Sequence, residues 1–407
     1  MTTALRDDSI THGPALPDNK KSTTEKRQNN ASTGASAAGM RALSARMMAF
    51  YFRTPVKAFF RTRVDYLGFA RAINPRVQAN EAWSLHLTTP GILAHAVKTY
   101  GWSFIPNQVI PPLLANVTVG AVLYASYLQT LGALHEPSSH AAKRVYPPAP
   151  FWATYSAGFA AGTFQSIIAA PLDALQIRFR SEDLLSGRYK NMWHYGLSKS
   201  RELGPRGIYS GWSLSFVKDA GGCGLFFATF EYIKSQCFYE YVSYWYGRFG
   251  KLSGFQQQQI QTQAANDIYS RPIIKPHYLM EPSFILAAGV AASVLQQVVQ
   301  HPLTQLQEVY YRRLQLLDEK MRLRPSRRDT FRTYAQAYRR SFLQSTVYAR
   351  KAGGWRKWLY EGFWMMTLKQ VPSTSAGLII FEVFRRKYGI GEDEVRIEKD
   401  GYDILLP

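Results

Sequence analysis

Charged residues set inside apolar, small-residue-rich runs are the part of this 407-residue chain that could do chemistry. Asp173 and Arg178 follow the run that begins at Tyr155 and reaches Pro171. Lys218 and Asp219 lie inside a second apolar run, which opens at Gly211 and ends in Phe230-Glu231-Tyr232-Ile233-Lys234. Lys369 and Gln370 stand in the same relation to Gly362, and Glu382 and Arg385 close that third run. In hydrocarbon an ionisable group is costly unless it faces protein or a water-filled cavity. Such groups therefore point either to recognition of a charged solute or to pairing among themselves. Lysine offers a point charge for a carboxylate or phosphate, without the planar fork of arginine. A Pro-x-Asp-x-x-x-x-Arg string alone describes a helix end equally well. A structural Lys218–Glu231 pair stays open beside a ligand role.

The elements that must position these residues follow from their neighbours. Tyr155-Ser-Ala-Gly-Phe-Ala-Ala-Gly162 reads as a membrane helix, with Gly158 and Gly162 as a small-xxx-small pair that permits close helix contact. Pro171 removes a backbone hydrogen bond and kinks that helix. A polar helix with a glycine turn at Gly204-Pro205-Arg206-Gly207 follows, and then the second membrane helix. The order repeats. Gly211, Lys218, Glu231 and Lys234 recur as Gly362, Lys369, Glu382 and Arg385, each 151 residues further on. Pro302-Leu303 repeats Pro171-Leu172, with Gly289 and Ser293 where Gly158 and Gly162 stood. Internal repeats of this kind mark many transporters.

This pattern resembles the mitochondrial carrier family over roughly residues 38–388, closely in the second repeat, partly in the third and faintly in the first. The resemblance implies an all-α membrane protein, a three-fold pseudo-symmetric bundle of six transmembrane helices with short matrix helices. It implies substrate contacts at Lys218, Asp219, Lys369 and Gln370, with Leu114-Ala115 at the matching place on the second helix. It implies gates built from Asp173, Arg178, Glu231, Lys234, Glu382 and Arg385, and helix kinks at Pro171 and Pro302. A basic-acidic pair such as Lys218-Asp219 is similar to carriers of carboxylates and amino acids. Departures from the pattern are specific. Glu231 can pair with Arg385, but Tyr127 and Thr130 replace the charges of the second helix. Asp173 would meet Val309 in place of a cation, and Thr304 stands where the fifth helix should carry its acid.

Composition bounds the rest. The net charge of +21 suits nucleic acid, an anionic membrane surface or anionic ligands. No zinc spacing, basic zipper or ribonucleoprotein motif speaks for nucleic acid. The mean hydropathy of −0.22 is low for a membrane protein. Polar tails and a polar stripe on cavity-lining helices account for it. Two cysteines, Cys223 and Cys237, form no disulfide framework and read as buried or free thiols. No metal cluster, nucleophile elbow or phosphate loop is visible, so neither an enzyme nor a cofactor is expected. His301 reads as a polar helix-end residue.

Taken in order, residues 1–34 form a polar tail without a signal-peptide core. The first repeat spans 35–135, with its proline at Pro55 in Thr54-Pro55-Val56-Lys57, or else at Pro75. The second spans 150–238. Residues 239–282, with Gln256-Gln257-Gln258-Gln259, form a solvated insertion. The third repeat spans 283–388, and 389–407 form a tail. Between Tyr311 and Lys357 stand fourteen Lys or Arg against three acids. Such a loop favours the matrix face and puts both termini in the intermembrane space.

Two functions follow. The first is alternating-access transport of a small anionic metabolite, a carboxylate, amino acid or phosphate compound, across the mitochondrial inner membrane. The alternative is a non-transporting carrier-fold scaffold, tether or insertion factor, with the outer membrane as its place. The implied partners are the solute and membrane lipid such as cardiolipin, with no nucleic acid, and the implied state is a monomer.

Overall fold

The computed structural model describes residues 65, 67–79, 88–139, 146–179, 184, 186–266, 271–323, 330–368, 370–371, 395–399 and 402–406. The described residues all fall within one compact unit, 50–407. The polar tail over 1–34 and the candidate first helix, with Pro55 and Lys57, lie outside the described residues. So do Lys369, Glu382 and Arg385.

Two short helices, α1 (Gly68–Ala72) and α2 (Pro75–Gln78), open the described chain. Pro75 does not kink a membrane helix. It sits at the start of a one-turn helix whose entry is capped by Asn74 Oδ1, which accepts from the Arg76 amide at 3.1 Å. Helix α3 (Thr89–Tyr100) ends at Gly101, whose φ of 76° turns the chain. A π-helical turn at Ile105–Val109 then runs into α4 (Ile110–Leu134).

Helix α5 (Phe151–Arg178) runs through Pro171, and α6 (Met192–Ile208) precedes α7 (Trp212–Glu231). A π-helical segment at Tyr232–Cys237 carries α7 directly into α8 (Phe238–Tyr246). After α9 (Gly254–Asn266) and strand β1 (Ile273–Ile274) comes α10 (Met280–Leu323), which contains Pro302. Helix α11 (Thr330–Lys351) and the short α12 (Trp355–Leu359) lead to helical residues 363–368. Strands β2 (Val395–Lys399) and β3 (Tyr402–Leu406) end the chain.

Among the described residues two helical stretches are long and apolar enough by composition to cross a membrane, Ile105–Leu134 and Met280–Leu317. The distribution of side chains extends that reading to α5 and α7. Gln165, Ser166, Ser215, Ser293, Gln297 and Gln307 are buried, while Phe159, Phe164, Ile168, Val217, Leu286 and Leu295 are exposed. Polar groups packed inward with large apolar groups outward suit lipid as the surrounding solvent.

Helices α5 and α7 meet at the expected glycines. An ideal Cβ on Gly158 would stand 2.8 Å from the Cys223 carbonyl oxygen, and one on Gly162 would stand 2.6 Å from that of Asp219. No larger residue fits without parting the helices. Helix α4 joins them through Leu123, Tyr127 and Leu131, which pack with Ala157, Ala161 and Phe227.

The stretch 239–282, expected to be a solvated insertion, is folded. Phe238, Val242, Tyr246, Leu252, Ile260 and Ile274 share a core with Ile397, Tyr402, Ile404 and Leu406. The sheet order is β1-β3-β2, parallel between β1 and β3 and antiparallel between β3 and β2. The C-terminal hairpin thus closes over the insertion. This sheet is an addition to the all-α architecture read from the sequence.

Candidate functional site

The candidate site lies where α5, α7 and α10 converge. Lys218 projects from α7, half-buried, and its ammonium donates to Oε1 of Gln307 on α10. Gln307 is 3% exposed, and its amide nitrogen donates to the Ser215 hydroxyl at 2.6 Å and to the Tyr311 hydroxyl. Ser215, one turn before Lys218, donates to Asp173 Oδ2 of α5 at 3.4 Å, and its oxygen lies 3.3 Å from that of Tyr311. A polar chain therefore links Asp173 of α5 to Lys218 of α7 through side chains of α10.

Helical spacing explains the arrangement. Ser215 and Lys218 are three residues apart and share a face of α7, as Gln307 and Tyr311, four apart, share a face of α10. Asp173, Ser215 and Tyr311 also line a small cleft with Arg178, Gly211 and Trp212. Where the family pattern would place a cation at Val309, the structure brings the Ser215 hydroxyl to Asp173. Val309 itself packs with Ala349 and Trp358.

Arg178 is 8% exposed, and its Nη1 donates to the Ala174 carbonyl at 3.0 Å. Lys218 reaches Gln307 and not Glu231. Glu231 instead accepts from Lys234 at 3.3 Å within one turn and from Ser235 at 3.4 Å. Asp219 follows Lys218 on α7. It is 4% exposed on the side of α7 where its backbone meets Gly162. Consecutive helical residues point about 100° apart, so a contact pair in sequence becomes two sites in space. Gln370 accepts from the amide of buried Gln297 on α10.

Several members of the site escaped the sequence reading, which named only Thr304 of the α10 stripe. Gln297, Gln300, Thr304, Gln307 and Tyr311 form a stripe at alternating spacings of three and four along α10. That period is the signal of one helix face, polar here within an apolar run. Gln165 of α5 accepts from the Cys223 thiol at 3.6 Å, which gives a buried glutamine a partner between α5 and α7. His301 is not at a helix end. It is 4% exposed inside α10, and its Nε2 donates to the Glu361 carbonyl at 2.9 Å. On α4, Tyr127 stacks on Phe227 with ring centroids 3.9 Å apart, so an aromatic contact occupies the place of the family's acid.

Residues 147–240, covering α5 to the start of α8, match the family model described as mitochondrial carrier protein. Over 162 residues the chain is 31% identical to solute carrier family 25 member 45 of Mus musculus, a match covering 35% of this chain and 53% of that protein. Over 125 residues it is 30% identical to mitochondrial thiamine pyrophosphate carrier 1 of Aspergillus oryzae, covering 31% and 37%. Over 147 residues it is 25% identical to the mitochondrial arginine transporter BAC2 of Arabidopsis thaliana, covering 36% and 46%. The chain spans about half the length, or less, of these curated relatives. The close α5–α7 packing, the repeated proline and glycine pattern and the matched second repeat together make residues 147–240 of this chain similar to the mitochondrial carrier protein family.

Proposed function

We propose that this protein is a solute carrier of the mitochondrial inner membrane that moves a small anionic metabolite by alternating access. The observation that carries the reading is Lys218, an ammonium held inside the helix bundle by the neutral amide of Gln307. An ammonium half-buried inside the bundle is suited to meet an anion that arrives from outside. Lys369 and Gln370 would supply the second contact from the sixth helix, and Asp219 the acid of an amino-acid cargo. Thiamine pyrophosphate, named for one relative, is a phosphate compound. Arginine, named for another, carries a carboxylate beside its cations. Either class has an anionic group for Lys218.

Residues 35–135, 150–238 and 283–388 would form the three repeats, with both termini in the intermembrane space and the loop around α11 in the matrix. The protein would act as a monomer among lipids such as cardiolipin. Asp173 and Arg178 would gate the matrix end, and Glu231 and Lys234, with Glu382 and Arg385, the opposite end.

The test is thermal stabilisation of the purified protein by carboxylates, amino acids, phosphates and nucleotides, followed by uptake of the hit into vesicles. A ligand that binds the folded state raises its apparent stability by mass action. Stabilisation and uptake that are lost in Lys218→Ala support the carrier reading. A folded protein that responds to no compound and moves none overturns it. The folded cap on α8, where the C-terminal hairpin meets the insertion, favours a second reading, a non-transporting scaffold or tether. Protease protection and carbonate extraction on separated outer and inner membranes test its compartment.

A further inference from the structure

Helix α7 does not stop where its apolar run ends. It continues through Tyr232–Cys237 into α8 and stays helical as far as Tyr246. There it meets the beginning of α10. The ring of Phe284 on α10 lies 5.5 Å from that of Phe238 and 5.4 Å from that of Tyr241, between centroids. The two helices are thus joined at two levels. Lys218 and Gln307 make the first contact. Phe238 stands 20 residues after Lys218, and Phe284 stands 23 before Gln307, which is roughly 30 Å and 35 Å along the two helices.

A few ring contacts do not hold two helix ends together. The 33 residues between Tyr246 and Met280 connect them, and as an unstructured chain these would reach roughly 110 Å. The C-terminal hairpin keeps that connection folded and short. Strand β3 pairs with β1 at Ile273–Asp403 and Ile274–Ile404, and the Asp403 amide donates to the Pro272 carbonyl at 2.8 Å. The Tyr402 hydroxyl donates to the carbonyl of Tyr246, the last residue of α8, at 2.6 Å. Asp403 is buried, 3.6 Å from Arg271 of the connection and 3.7 Å from Arg396 of β2. The hairpin therefore grips both the end of α8 and the strand that leads into α10.

We infer that the C-terminal hairpin is a strap: docked, it holds the outer ends of α7 and α10 together, and the bundle opens at that end only when the hairpin undocks. This rests on the carrier reading above, in which α7 belongs to the second repeat and α10 to the third. Alternating access rocks one repeat against another around a fixed site. Helices tied at one end can part only at the other. The strap is also built to let go. Strand β1 is two residues long, and both arginines beside Asp403 are exposed, so few bonds hold it, as in segments that open locally.

The test uses the full chain with Cys237→Ser, Glu240→Cys and Ser283→Cys in lipid vesicles. Positions 240 on α8 and 283 on α10 are exposed and carry nitroxides. Pulsed electron paramagnetic resonance gives the distance between them with and without Ile404→Asp, and limited proteolysis at 395–406 reports release of the hairpin. The expected result is one narrow distance in the parent and a broad distribution reaching longer distances once the hairpin is released. Where Ile404→Asp fails to fold, Tyr402→Phe with Asp403→Asn takes its place. The second arm crosslinks Ile274→Cys to Ile404→Cys, partners across β1 and β3, in the unlabelled Cys237→Ser chain. Oxidation should slow uptake of radiolabelled glutamate, citrate or phosphate about tenfold or more, and reductant should restore it. An unchanged narrow distance with the hairpin released overturns the strap. So does crosslinked protein that transports as fast as reduced protein. Either leaves the carrier reading intact. Broadening on release, with none of the three anions moved by any variant, supports the strap and overturns the anionic cargo instead.

Discussion

Lys218 on α7 donates its ammonium to the side-chain carbonyl of Gln307 on α10, 89 residues further along the chain. The contact joins α7 and α10 through one charged and one neutral group. The amide can hold the lysine in place without neutralising it. A hydrogen bond to a charged group contributes about 1.5–3 kcal/mol. An anion entering the bundle would offer Lys218 a full opposite charge, which the amide cannot match.

Replacing Gln307 by glutamate tests that balance. Gln307→Glu would place a carboxylate beside the ammonium and occupy Lys218 with an internal partner. The expected outcome is a ligand-free protein that melts at the same or higher temperature, with stabilisation by the cargo reduced at least tenfold in apparent affinity, about 1.4 kcal/mol. Thermal unfolding across a ligand titration measures both. Unchanged cargo affinity in Gln307→Glu would separate Lys218 from recognition.

Ser215 couples the same lysine to Asp173. Ser215→Ala removes the hydroxyl that donates to Asp173 and accepts from Gln307, at a cost of about 1–3 kcal/mol to the arrangement that holds α5, α7 and α10 together. The readout is the rate at which a cysteine placed at Ser210, on the wall of the adjoining cleft, reacts with a water-soluble maleimide. The substitution should raise that rate. Tyr311→Phe should have a smaller effect, since Ser215 keeps its contact with Asp173.

Gly162 should tolerate nothing larger. A Cβ there meets the Asp219 carbonyl at 2.6 Å and the Ala220 Cα at 2.7 Å, both on the backbone of α7 and unable to rotate away. Gly162→Ala is expected to cost about 1–3 kcal/mol, and Gly162→Leu to prevent folding. Gly196 has nothing within 4 Å of its Cβ position, so Gly196→Ala on α6 is the control. It should be neutral or slightly stabilising, because alanine favours a helix.

The C-terminal hairpin should come loose at alkaline pH. The Tyr402 hydroxyl is buried and donates to the Tyr246 carbonyl at 2.6 Å, and burial pushes its pKa above the usual tyrosine value. The folded pKa therefore exceeds the unfolded one. Docking is fully supported below about pH 10 and weakens as pH rises from there through the folded value. Limited proteolysis of residues 395–406 against pH should show the transition. Tyr402→Phe should weaken docking by about 1–3 kcal/mol at neutral pH, by stranding the Tyr246 carbonyl, and should blunt the alkaline transition.

The sequence by itself carried the internal repetition of its motifs, the resemblance to carriers and the close α5–α7 contact. Gly158 and Gly162 announced a tight α5–α7 crossing because only a missing side chain permits backbone to approach backbone in that way. Gly211, Lys218, Glu231 and Lys234 announced a second copy 151 residues on because identical spacing preserves the same helix faces. These signals are local, carried by residue type and spacing along one helix.

Only the tertiary structure decided which of the charged residues meet. Adjacent Lys218 and Asp219 part because successive residues on a helix point in different directions. Asp173 meets Ser215 because that contact is set by how α5 and α7 cross, which no spacing within either helix encodes. The glutamine-rich insertion reads as solvent-facing by composition. Its core forms because residues 395–406, more than a hundred positions away, return to cover Val242, Ile260 and Ile274. A core assembled from two distant segments leaves no period in either, so its folding is fixed by the contact and not by the string.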